Sequence, residues 1–290
     1  MSSSNSRYPI VSGYAKTTSM KEKILITILL LLQISVNGQI ISGKITDENK
    51  KVLPYTNIGV IGLDKGTISS DKGLYSINIS NIDKEKTLRF SYVGFKNVDF
   101  RIGDLISDKV SVLNITMKEE TFQLDEIVIK QNNEKPVFIG TKKRGRMSWI
   151  WSEAIKGAEI GTLFKIDKPT LLKKVYFHVN KNYCDSIYYR LRIYDGTGGF
   201  PSKTINNDDI RFISKIKKGW ESIDVSDYDI KINTDFIITL ETLESWTSGE
   251  YRTTHLSVSR KQGNSYSRTS SMAQWTEFGN EMSFKIEIRE

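Results

Sequence analysis

Two histidines, His178 and His255, and one cysteine, Cys184, are the groups in this chain that could move a proton or attack a carbonyl near neutral pH. None of them stands in a spacing that such chemistry uses. The histidines fall in separate stretches with no acidic residue at a motif distance. No HExxH, CxxC, G-x-S-x-G, P-loop or G-x-G-x-x-G pattern occurs. Both histidines read as surface or interface residues. Cys184, beside Tyr183 and ahead of a strand-like run, reads as a partly buried, inert thiol, and as the sole cysteine it can form no intramolecular disulfide.

Carboxylates cluster at Asp208-Asp209 and at Asp224, Asp227 and Asp229, in polar stretches where aspartate commonly forms turns. Calcium needs about six to eight converging oxygens. Asp195, Asp224, Asp227 and Asp229 are weak candidates for it, and no other metal or cofactor is expected. A glycan hydrolase would need two carboxylates about 5 to 10 Å apart across a cleft. Nothing in the spacing supplies such a pair, and a non-enzymatic protein is the expectation.

Aromatic residues offer more. Trp246, Tyr251 and Trp275, with the stretch around Tyr266, lie in or beside Gly/Ser/Thr/Gln-rich segments together with Arg252, Gln262, Asn264 and Arg268. If exposed, the rings would stack on sugars while the polar groups donate hydrogen bonds. If buried, they would cap a sandwich core with their polar tips satisfied at its edge. The basic run Lys142-Lys143-Arg144-Gly145-Arg146, ahead of Trp149 and Trp151, is likewise either an anion-binding patch or a solvated loop leading into a core strand.

The elements that must position these residues are strands. Ile41, Gly43 and Ile45 alternate with Ser42, Lys44 and Thr46, the pattern of a half-buried strand. Further strands are predicted over 57–63, 74–79, 88–93, 98–102 and 112–117, with turns at Gly66-Thr67 and Asp71-Lys72-Gly73. Short strands with frequent turn signals and no βαβ spacing specify a small β-sandwich. Gly43 to Asp47, Pro54, Asn57-Ile58, Gly66-Thr67, Ser70 to Tyr75 and Phe90 to Phe95, in that order, resemble the carboxypeptidase regulatory-like domain found in front of outer-membrane transporters. The resemblance implies a transthyretin-like, usually non-catalytic sandwich. Leu124 to Ile129 is similar to the segment that follows this domain in TonB-dependent transporters. Fewer than 165 residues remain after Lys130, too few for a plug and a barrel of about 22 strands at roughly 10 residues each.

Beyond a polar linker at 131–136, strands are predicted over 159–166, 171–179, 186–194, 220–225, 236–243, 255–258, 266–270 and 282–288. The first two of these runs alternate well, with Val175, Phe177 and Val179 expected inward and Tyr176, His178 and Asn180 outward. Eight or more antiparallel strands over 137–290 suit a jelly-roll-like sandwich. The fold expected is therefore all-β with two β-sandwich domains, a transthyretin/Ig-like one over 39–130 and a jelly-roll-like one over 137–290.

Export is read from the N-terminus. Met20-Lys21-Glu22-Lys23 precedes an apolar stretch of about 13 residues, which as a helix would reach about 20 Å, short of the roughly 30 Å hydrocarbon core. Residues 20–38 are read as a signal peptide cleaved before Gln39, and residues 1–19 as a spurious or disordered extension. No stable membrane span is expected after cleavage. Past residue 38 the chain holds 38 basic and 33 acidic residues, and 39–135 holds 14 of each, so the excess of +5 lies in the second domain. Export and scattered positive charge argue against nucleic acid as a partner. The expectation is an exported binding or adhesion protein of the periplasm or surface of a Gram-negative-type envelope, its partner a glycan or a cell-envelope protein. The alternative is a structural or assembly partner of an outer-membrane complex that works through strand addition.

Overall fold

The computed structural model describes residues 39–120, 136–206 and 208–289, with Met20 besides. The expected signal peptide, the linker up to Lys135 and the segment Leu124–Ile129 lie outside the described residues. Residues 39–290 form one compact unit. It is all-β, and no described helix is long and apolar enough to cross a membrane.

The first sandwich is built from β1 (Ile40–Asp47), β2 (Asn57–Val60), β3 (Gly66–Ile68), β4 (Leu74–Asn78), β5 (Thr87–Ser91), β6 (Val98–Arg101) and β7 (Ile115–Met117). One sheet runs β4-β1-β7, with β7 parallel to β1; the other runs β3-β2-β5-β6. Ile41 and Ile45 share one face of β1 as their alternation predicts, and they meet Ile58 and Val60 from β2 and Leu88 and Phe90 from β5 in one apolar cluster. Gly73 takes a φ of +70° at the tight turn foreseen there. Two expectations are corrected. Gly66-Thr67 is strand, because β3 pairs with β2. Ile102 opens a six-residue helix, Ile102–Ser107, that seals one end of the core with Ile102 and Leu105.

The second sandwich comprises β8 (Val137–Gly140), β9 (Met147–Ser152), β10 (Glu159–Phe164), β11 (Thr170–Asn182), β12 (Ser186–Asp195), β13 (Ile210–Ser214), β14 (Gly219–Asp224), β15 (Lys231–Ile232), β16 (Phe236–Trp246), β17 (Thr253–Arg268), β18 (Thr276–Met282) and β19 (Phe284–Arg289). One layer orders β13-β12-β16-β10-β17 and the other places β14, β11, β19 and β8 side by side. Where eight or more strands in a jelly roll were expected, the described residues form one ladder of twelve, joined through β17. The first half of β17 pairs with β9 and β11, and its second half with β10 and β18. Its Gly/Asn/Ser-rich middle therefore belongs to a strand rather than a loop. Between the layers lies a large apolar core, with Ile187, Leu191 and Ile193 of β12 facing Val175, Phe177, Phe284 and Ile286.

Candidate functional site

On β12 every second side chain points away from that core: Tyr188, Arg190, Arg192 and Tyr194. In a sheet exposed on one face these would meet water. Here the first sandwich covers them, and Arg190, Arg192 and Tyr194 are buried. A buried guanidinium is tolerated only when its donors are met by acceptors and its charge by carboxylates. Arg190 donates from Nε to Asp209 (2.6 Å), from Nη1 to Glu241 and to Asn57 Oδ1 (both 3.1 Å), and from Nη2 to the Tyr55 carbonyl (2.7 Å). Arg192 donates from Nε to Glu241 at 2.7 Å and from Nη2 to Asn57 Oδ1. Arg268, on β17, pairs with Glu159 of β10, which also accepts from Tyr194 (2.9 Å) and Thr239 (2.8 Å). Burial alone would raise the Glu241 pKa, but Arg192 and Arg190 outweigh it and hold the group down at about 2.

Asn57 ties the two sandwiches together. Fully buried, it accepts from both arginines and donates to Glu241 and to Ser271 Oγ. Backbone contact is equally close: a Cβ at Gly59 would lie 2.2 Å, and one at Gly66 2.0 Å, from the Ser271 carbonyl oxygen. Only glycine permits that approach. The Gly62 N–H donates to the Met272 carbonyl at 2.9 Å, and Tyr92 of the first sandwich donates to Asp209 of the second at 2.8 Å.

Beside this seam a cleft of about 330 Å³ opens between the sandwiches. Its buried floor is Arg192, Tyr194 and Arg268. Tyr92, Gly94 and Phe95 of the first sandwich line one side, Met272 and Trp275 of the second line the other, and Lys203 is at the rim. The Arg268 guanidinium lies 4.7 Å from the Trp275 ring centre, and Tyr194 meets the same ring edge-on at 5.6 Å. Glu120 is the one carboxylate among the described residues lining the cleft.

The six aromatic and basic residues singled out from the sequence fall into two groups. Arg268 and Trp275 line the cleft, and Tyr266 is fully buried behind it, in the cluster that holds Tyr194 and Ile237. Trp246 and Tyr251 are 44% and 59% exposed at the far end of the second sandwich, where Arg252 is also exposed. Trp246 lies nine residues along β16 from Ile237, whose cluster Trp275 packs against, a span of about 30 Å at roughly 3.3 Å per residue. They share no surface. The sequence showed no sign of Arg190, Arg192, Asn57 and Glu241 as a cluster, because each alternates with core residues as an ordinary outward-facing position would.

His178 is buried, contrary to its expected outward setting: its Nδ1 lies 2.6 Å from Ser257 Oγ, and Trp220 packs edge-on against it at 5.2 Å. Burial, with Arg144 and Lys218 nearby, lowers its pKa. Cys184 is fully buried, which pushes its thiol up to about 11. Trp151 is in the core and Trp149 stacks on Phe278 at 4.4 Å, so the basic run before them leads into a packed strand rather than a stacking platform. Asp195 accepts from Thr197 and Asp224 from Ser226, closing local turns, while Asp229 pairs with Lys231 at 3.1 Å. Asp227 lies in the short 3₁₀ turn Ser226–Tyr228. Among the described residues, no three His, Cys, Asp or Glu side chains gather into a metal-binding group.

No curated protein matches the chain. Residues 41–129 match the family model of the CarboxypepD_reg-like domain, and the first sandwich, with Asn57 at the seam and Tyr92 to Phe95 in the cleft wall, is a domain of that family.

Proposed function

We propose that this chain is an exported, non-catalytic binding protein of the cell envelope whose ligand, a glycan, enters the cleft between the two sandwiches. One observation carries the reading: the cleft combines an aromatic wall at Trp275 with buried, fixed guanidinium groups at Arg192 and Arg268. Rigid aromatic faces and charge-assisted donors are what recognition of a polar ring requires. The CarboxypepD_reg-like domain, of a type found in envelope proteins, supports the location. Glu159 and Glu241 are held in ion pairs with arginines, and among the described residues of the cleft lining Glu120 has no second carboxylate beside it, which favours binding over glycoside hydrolysis.

A glycan array probed with the wild-type chain, Trp275→Ala and Trp246→Ala tests this. Binding that Trp275→Ala removes and Trp246→Ala leaves intact supports the cleft. The reverse pattern moves the site to the far end of the second sandwich. A second reading, assembly by strand addition, is favoured by β8, which ends the ladder with Val137 and Phe138 exposed. A chain that binds no glycan and captures an outer-membrane protein through this edge would support it.

A further inference from the structure

We infer that the cleft selects a carboxylate, so that its ligand is an acidic sugar; this rests on the glycan reading above. Arg192 is 5% and Arg268 8% exposed, and both line the cleft floor. Arg192 commits Nε to Glu241 and Nη2 to Asn57, and Arg268 commits Nε and Nη2 to Glu159. The Nη1 of each makes no hydrogen bond among the described residues. Two buried guanidinium groups thus each keep a donor edge free beside the same opening. They also sit close together, because Arg192 Nε lies 3.8 Å from the Glu159 oxygen that Arg268 holds. One small oxyanion can meet both.

Charge sets the kind of anion. Among the described residues, the ion pairs of the seam join four guanidinium groups, Arg190, Arg192, Arg211 and Arg268, to three carboxylates, Glu159, Asp209 and Glu241, an excess of one positive charge. At the rim Lys203 and Glu120 offset each other, and Arg89 is taken by Asp99. A phosphate monoester, at about −1.5 to −2, would overcompensate. A neutral sugar would leave the charge unmet. A carboxylate matches it and fits the planar guanidinium edge.

The test is calorimetric titration of the full chain with galacturonic acid, which carries one carboxylate, and, separately, with neutral galactose. The acidic sugar should bind at least tenfold more tightly, and its affinity should fall as salt is raised. Lys203→Glu, an exposed change at the rim whose fold is checked by its melting temperature, should weaken acidic binding severalfold and leave the neutral sugar unaffected. Trp275→Ala should abolish acidic binding. Equal affinity for both sugars, lost in Trp275→Ala, overturns the carboxylate and leaves the glycan cleft standing. Acidic binding insensitive to both variants, or no binding of either sugar by the folded chain, overturns both. Inorganic phosphate displacing the acidic sugar more effectively than acetate would overturn the choice of carboxylate.

Discussion

Strand β12 is buried on both faces by opposite means. Toward the core of the second sandwich, Ile187, Leu191 and Ile193 meet other apolar side chains and need only volume and shape. Toward the first sandwich, Arg190 and Arg192 are equally buried and depend on named partners: both bond Asn57 from one domain and Glu241 from the other, and Arg190 also bonds the Tyr55 carbonyl and Asp209. An apolar face degrades gradually when one member is trimmed. An ionic face fails sharply, because losing one partner strands a charge away from water. The apolar face makes the second sandwich a domain. The ionic face makes it one that is completed by the first.

The largest expected effect is at Glu241. Glu241→Gln leaves Arg190 and Arg192 short of their shared carboxylate and should cost about 3 to 5 kcal/mol in denaturant unfolding. A cost no greater than that of a surface pair would end the contrast between the two faces. The same group sets an acid limit. Its folded pKa of about 2 lies below its unfolded value of about 4.3, so its stabilisation is complete above that unfolded value and is lost as pH falls toward 2. The wild type and Glu241→Gln should therefore converge in stability as acid is added.

On the apolar face, Leu191→Ala should cost about 2 to 5 kcal/mol at any pH, since it removes volume and no charge. A pH-dependent loss there would blur the comparison.

Glu153 sharpens it from inside the second sandwich. Buried and accepting from Tyr189 (2.5 Å) and Thr242 (2.7 Å), it has no cation partner among the described residues, and burial raises its pKa to about 7. A carboxyl whose folded pKa is raised binds more protons folded than unfolded, so stability falls as pH rises from about 4.3 to about 7. Melting temperatures across that window should decline in the wild type and flatten in Glu153→Gln. An unchanged slope would mean that Glu153 is not the titrating group.

The smallest effect belongs to Arg89–Asp99, a 2.7 Å pair with both side chains about a third or more exposed. Asp99→Asn should change stability by no more than about 1 kcal/mol. A larger loss would show that exposure is not what separates weak pairs from strong ones in this molecule.

Strand alternation made much of this fold legible. Ile41 and Ile45, Leu88 and Phe90, and Ile187, Leu191 and Ile193 all point inward as their spacing predicts, since period-two patterning is a local property of the chain. Short strands were harder to read. β8, β9 and β13 lack a long alternating run, and β3 looks like a turn until β2 is placed beside it. Alternation places His178 outward, but Trp220 and Ser257, from strands distant in sequence, cover it.

The candidate site was legible only in part. Arg268 and Trp275 stood out as an aromatic and basic pair, but so did Trp246 and Tyr251, and sequence proximity could not show that the groups lie about 30 Å apart at roughly 3.3 Å per residue of strand. By itself the sequence determined an all-β chain and the family of its first domain, because side-chain alternation and turn residues act within a few positions. Only the tertiary structure decided that a strand's outward arginines are buried. Whether such a face meets water or another domain depends on what packs there, and here Asn57, Tyr55 and Tyr92 reach it from more than 90 residues earlier in the chain.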